Sequence, residues 1–170
     1  FNHFDGNLSE ISPGKPDLIF CRDVVLHQPD PVDFLAKLYQ AAGQYLVIRV
    51  RSRETGATVF DIEQSCQYAH GYWVPYIVFN TEELINMISS YSHAPAKIEV
   101  IRHPVILGGQ LNRFLPKELY YPETGTAETS ILIEKGSEEN RRDTEVIIET
   151  RPEQRGQERS GLSRLIRRLA

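Results

Sequence analysis

Residues 16–20 (PDLIF) form an apolar run without alternation, the pattern of a short strand buried on both faces. Cys21-Arg22-Asp23 end that run. Asp30-Pro31 then pair an N-cap acceptor with a first-turn proline, and Asp33 suits the positive end of a helix. Leu35, Leu38, Tyr39 and Ala42 recur at helical spacing, so a helix is predicted, stopping at Gly43. Residues 44–50 (QYLVIRV) have a solidly apolar centre and predict a second strand. Strand, helix and strand with short connections make the βαβ crossover of a parallel sheet.

A long segment without periodicity follows, residues 51–78. A loop of that length in a compact domain is usually functional or disordered, and its aromatic content argues against disorder. Asn80 then reads as an N-cap, Glu83 as its capping-box partner, and Phe79 as a staple to Leu84. The helix carries Leu84, Ile85, Met87 and Ile88 and is predicted to end near Tyr91. Ile98 and Val100 alternate with polar partners in a strand over AKIEVIRH, and residues 129–135 (TSILIEK) form the last strand of this region. With no convincing helix between them, these two strands are expected to pair antiparallel and close one edge of the sheet.

From Gly136 onward the composition changes to Glu, Arg and Gln with few aromatics, and residues 136–170 are expected to be a mobile charged tail. Within it, TEVIIET reads as a lone strand. Leu162, Leu165, Ile166 and Leu169 share one face of a short terminal amphipathic helix, which either docks on its own domain or serves a membrane surface or partner. The 170 residues have 41% hydrophobic and 25% charged content, the range of a soluble single domain. A net charge of −4 does not point to nucleic acid. Two cysteines, Cys21 and Cys66, make no disulfide framework, so a reducing, cytoplasmic setting is expected. No apolar run is long enough for a transmembrane helix. Beginning at Phe1 in strand-like sequence, the chain reads as part of a longer protein, whose targeting is left open.

The element order, together with Asp17–Pro31 (DLIFCRDVVLHQPDP) and Phe34-Leu35, resembles the carboxyl-terminal half of a class I, Rossmann-like S-adenosylmethionine-dependent methyltransferase. AGQYLVIRV matches that family's fifth strand in position, and the late antiparallel pair is characteristic of its fold. The resemblance covers residues 1–135. It implies an α/β fold, an incomplete Rossmann-like sheet of parallel strands with an antiparallel pair, followed by the tail. It also implies S-adenosylmethionine as cofactor. Residues 70–84 (HGYWVPYIVFNTEEL) are similar to bacterial methyltransferase-like proteins, some of them associated with surface-polysaccharide genes, which implies a small-molecule or glycan acceptor. The family's glycine-rich turn and ribose-binding acid are not in this sequence, so weak or no cofactor binding is expected of this chain alone. Self-association through an exposed sheet edge is expected as well.

In the resemblance, FNHFDGNLSEI follows the third strand and places Asn7, beside Leu8, at the position that contacts the adenine amino group. Asp5 takes that place if the register moves by two, and an ordinary turn is the alternative. Cys21 and Arg22 stand where a doubly wound sheet meets its ligand, although Cys21 also suits a buried core position. Asp23 either caps a short helix over 24–27 or faces the site. His27 is the candidate base for an acceptor hydroxyl, with a structural hydrogen bond as its other reading. Tyr72, Trp73 and Tyr76 are the candidate substrate contacts, in a segment with Tyr68 and His70 that equally suits packing. No Cys/His cluster of zinc type is present, and no nucleophile–base pair supports hydrolysis. Two other functions fit the same residues: a non-catalytic methyltransferase-like interaction module, and another doubly wound transferase such as a glycosyltransferase.

Overall fold

The protein is a mixed α/β domain in a computed structural model that describes residues 15–136 and 143–152. β1 (Leu18–Arg22) pairs parallel with β2 (Tyr45–Arg53), with α1 (Pro31–Ala41) as the crossover. The small sheet of β3 (Cys66–Ala69), β4 (Tyr72–Pro75) and β7 (Arg113–Phe114) lies apart from the main one. β5 (Val78–Asn80) pairs parallel with the far end of β2, ahead of α2 (Thr81–Ser89). β6 (Pro95–Pro104), β8 (Ala127–Lys135) and β9 (Glu145–Thr150) complete the main sheet, in the order β1-β2-β8-β6-β9.

The two N-caps work as the sequence indicates, but the expected capping box does not close: Glu83 Oε2 accepts from Thr58 N and Oγ1, and Asn80 N donates to Thr58 Oγ1 instead. Asp30 Oδ1 accepts from Asp33 N at 3.0 Å, and Asn80 Oδ1 accepts from Glu83 N at 3.0 Å. Leu35, Leu38, Leu84 and Ile88 pack with Leu46, Ile48 and Val50 of β2, so both helices cover one face of the sheet. The opposite face carries a smaller cluster of Val47, Ile101 and Leu132, flanked by Leu18 and Tyr45. Gly43 acts differently from the expected left-handed cap. A Cβ there would lie 3.0 Å from the Pro16 carbonyl oxygen, so the glycine permits the close approach of β1's entry. Lys135 of β8 supplies what α1 lacks at its end, donating to the Tyr39 and Ala42 carbonyls at 2.9 and 2.8 Å.

Several strand expectations need correction. β1 is an end strand of the sheet with only Cys21 buried, so its apolar run does not reflect cover on both faces. β6 and β8 do pair antiparallel, yet β8 is inserted between β2 and β6, and the pair closes no edge. The strand over TEVIIET is not alone: β9 pairs parallel with β6 from Lys97↔Glu145 to Arg102↔Thr150, so residues 145–150 belong to the sheet and not to a mobile tail. The terminal helix expected over 162–169 lies outside the described residues.

Candidate functional site

Arg49, Arg51 and Arg53 alternate along β2, which sends all three to the face opposite the helices. Where β1 ends, Asp23 takes a left-handed backbone (φ 55°) and donates its N–H to Arg49 O at 3.1 Å. This conformation is costly for a residue with a Cβ, though Asp tolerates it better than most. It turns the Asp23 carboxylate onto the arginines: Oδ1 accepts from Arg51 Nη1 at 2.9 Å and lies 3.4 Å from Arg49 Nε. Glu128 of β8 closes the ring, 2.5 Å from Arg49 Nη2 and 3.0 Å from Arg51 Nη2. Two carboxylates and two guanidiniums thus alternate at the carboxyl ends of β1 and β2.

Arg51 Nε also donates to the Tyr76 hydroxyl at 3.1 Å, and the Arg113 guanidinium sits 4.5 Å from the centre of the Tyr76 ring. Burial pushes the Tyr76 hydroxyl's pKa up, against the pull of both arginines, so the phenol stays protonated. Burial works against the charge on Arg51, but Tyr76, Glu128 and Asp23 outweigh it and hold the guanidinium above its ordinary value. The side chain of Asp23 does not cap the following 3-10 turn (Val25–His27), whose N-cap is Val24.

His27, at the end of that turn, has its Nδ1 2.7 Å from the Pro75 carbonyl. A carbonyl only accepts, so Nδ1 carries a proton in this contact. The structure shows the structural reading of this histidine, a tie through Nδ1 to the strand that ends at Pro75. Cys21 is a core residue, and burial raises its thiol pKa to about 11, which keeps it protonated. Arg22 is exposed and pairs with Asp23 at 3.2 Å. Asn7, Leu8 and the fallback Asp5 lie outside the described residues.

The long segment after β2 is built around a two-residue hairpin. His70 (φ 54°) and Gly71 (φ 90°) both have positive φ, as a type I′ turn requires. The pairing Tyr68↔Trp73 and Cys66↔Phe114 puts Tyr68, Trp73 and Phe114 on one face of the small sheet, all three about half exposed. Tyr68 and Trp73 meet edge to face at 5.5 Å. Gln67 and Arg113 occupy the other face, joined by a 3.0 Å hydrogen bond. Tyr72, Trp73 and Tyr76 do not come together: Tyr72 alternates to the face opposite Trp73, and Tyr76 is buried at 1% exposure beneath Arg113.

Sequence reasoning missed the arginine ring, Glu128 and Phe114. The signal for the first was present in RVRSR, where three arginines at spacing two continue a strand. Glu128 and Phe114 carry no local signal, because their places depend on pairings across 79 and 48 residues.

No family model, no curated protein and no solved structure matches the chain. What the geometry defines is a class: a mixed α/β domain with a ring of charged side chains where its parallel strand β1 ends, and a separate aromatic face on its small sheet. Among the described residues no group of His, Cys, Asp and Glu could hold a metal ion, and no helix is long and apolar enough to cross a membrane. For S-adenosylmethionine the fit is partial. The end of β1 offers main-chain positions at Cys21 and Arg22, but Asp23 and Glu128 are both held by arginines and are not disposed toward ribose hydroxyls.

Proposed function

We propose that this chain is the carboxyl-terminal part of a Rossmann-like, S-adenosylmethionine-dependent methyltransferase acting on a small molecule or glycan. The observation that carries the reading is the strand order: β1 parallel to β2, then β8 inserted antiparallel between β2 and β6. The parallel β1–β2 pair and the antiparallel β6–β8 pair are elements that the resemblance of Asp17–Pro31 implies, and the charged turn falls where a doubly wound sheet meets its ligand. The outer edge of β1 has no partner among the described residues, which is where the first half of such a sheet would continue.

In this reading the bound cofactor supplies an already activated methyl group, and the chain's own residues orient the acceptor and take its proton. His27 Nε2 is the proton acceptor, fixed by the Nδ1–H bond to Pro75. Tyr68, Trp73 and Phe114 offer the flat apolar surface a sugar ring stacks on, with Arg113 and Gln67 on the sheet's other face. Isothermal titration of the full natural-length protein with S-adenosylmethionine tests the proposal. Saturable heat is expected, and none at millimolar cofactor would sink it. His27→Ala is expected to lower the transfer rate; an unchanged rate would remove His27 from the mechanism.

A second reading, a non-catalytic interaction module with the same fold, is favoured by the arginine ring itself. Both carboxylates of the ring are neutralised, which suits a structural closure of the sheet's end. Absence of cofactor heat together with retained folding would select it. A nucleotide-sugar response in thermal shift would select a glycosyltransferase instead.

A further inference from the structure

β9 ends the main sheet, and its outer edge has no partner among the described residues. Arg151 N donates to Arg102 O at 2.8 Å, so the odd-numbered residues of this strand turn their main-chain groups toward β6. Val146, Ile148 and Thr150 therefore turn theirs to the open edge. The same residues share a face with Ile98 and Val100 of β6, yet Val146 and Ile148 remain 41% and 54% exposed. A bare, apolar strand edge is a template for another strand.

We propose that β9 pairs with β9 of a second copy, antiparallel, across a two-fold axis at Ile148. Charge selects this register. With Ile148 opposite itself, Val146 faces Thr150, Ile147 faces Glu149, and Glu145 faces Arg151 in both directions, bringing a second carboxylate to a guanidinium that Glu149 of its own strand already holds. Centring on Ile147 would set Glu145 against Glu149, and centring on Glu149 would set that carboxylate against its own copy. Like charges directly opposite are unfavourable and unlike ones favourable. At the Ile148 axis the outward-facing main-chain groups of the two copies meet as a hydrogen-bonded pair. The isologous contact closes, giving a dimer and not a fibre. The inference is independent of the methyltransferase reading and uses the edge opposite β1.

Sedimentation velocity over a concentration series reads the oligomeric state of the 170-residue chain. A concentration-dependent dimer is expected. Glu145→Arg or Arg151→Glu alone is expected to weaken it about tenfold, and the two together to restore it. Monomer at every concentration would overturn the proposal, as would a dimer indifferent to both single changes. Ile148→Cys in a Cys66→Ser background gives a second readout. Paired Cα atoms about 5.5 Å apart can be bridged by a disulfide, so mild copper-phenanthroline oxidation is expected to cross-link the pair. Failure to cross-link in a chain that still dimerises would place the contact elsewhere and overturn it too.

Discussion

The residue that concentrates most physics is Arg51, which meets Asp23, Glu128 and the Tyr76 hydroxyl from a nearly buried position. Arg51→Met removes one charge from a ring of four and leaves the phenol without its donor. Asp23 and Glu128 are each about a third exposed, so water screens part of the loss. A destabilisation of about 2 kcal/mol is expected, against about 1 kcal/mol for Tyr76→Phe, both read from urea unfolding. At Asp23 the backbone and the charge can be separated. Asp23→Asn keeps a residue that tolerates φ 55°, whereas Asp23→Ala is expected to cost roughly 1 kcal/mol more. Equal losses would mean the turn is not strained.

His103 gives the residue scale its pH dependence. It pairs with Glu128 across β6 and β8, and its Nε2 is buried without a hydrogen-bond partner among the described residues. Burial, then Arg151 and Arg49, lowers its pKa, with Glu128 and Glu149 acting the other way. A depressed histidine pKa means the unfolded chain takes the proton first as pH falls. Stability from this group is therefore intact above the unfolded value near 6.5 and is lost as pH falls through the lower folded value. Unfolding midpoints are expected to drop between about pH 7 and pH 5, and to drop less in His103→Gln. An equal drop in both proteins would assign the acid loss to other groups.

At the scale of elements, the two helices differ in what their caps hold. Asp30 serves α1 through a single bond to Asp33 N. Asn80 serves α2 and also donates its side-chain amide to the Gly56 and Glu54 carbonyls, at 2.8 and 3.2 Å. Asp30→Ala is expected to cost about 1 kcal/mol and Asn80→Ala about 2 kcal/mol by urea midpoint, because the second also releases the 54–56 turn. The order of these two losses is the checkable outcome. Both caps, both helices and the parallel β1–β2 pair were legible in the sequence, since each rests on signals within a few residues of one another. β3, β4 and β7 were not, because four- and two-residue strands are too short for alternation to register. The insertion of β8 between β2 and β6 was hidden for another reason: it is decided by which apolar faces meet, not by any local pattern. In the candidate site, the position of His27 was legible from the strand-turn-helix frame around it. Its tie to Pro75 was not, since that residue lies 48 residues away.

On the scale of the whole molecule, protection should follow position in the sheet. β2 is bonded to β1 and β5 along one side and to β8 along the other, and β8 is bonded along both sides by β2 and β6. Their amides have no open edge, and Leu46, Ile48, Ile131 and Ile133 beneath them are fully buried. The small sheet has ladders of two to four residue pairs and an aromatic face in solvent, so it can open without disturbing the core. Hydrogen exchange is therefore expected to be slowest at residues 46–50 and 129–133 and much faster at residues 66–75. That gradient would make the aromatic face the adaptable element and the arginine ring the rigid one, since Arg49, Arg51 and Glu128 stand on β2 and β8. Equal protection in the two sheets would show that the aromatic hairpin unfolds only with the core.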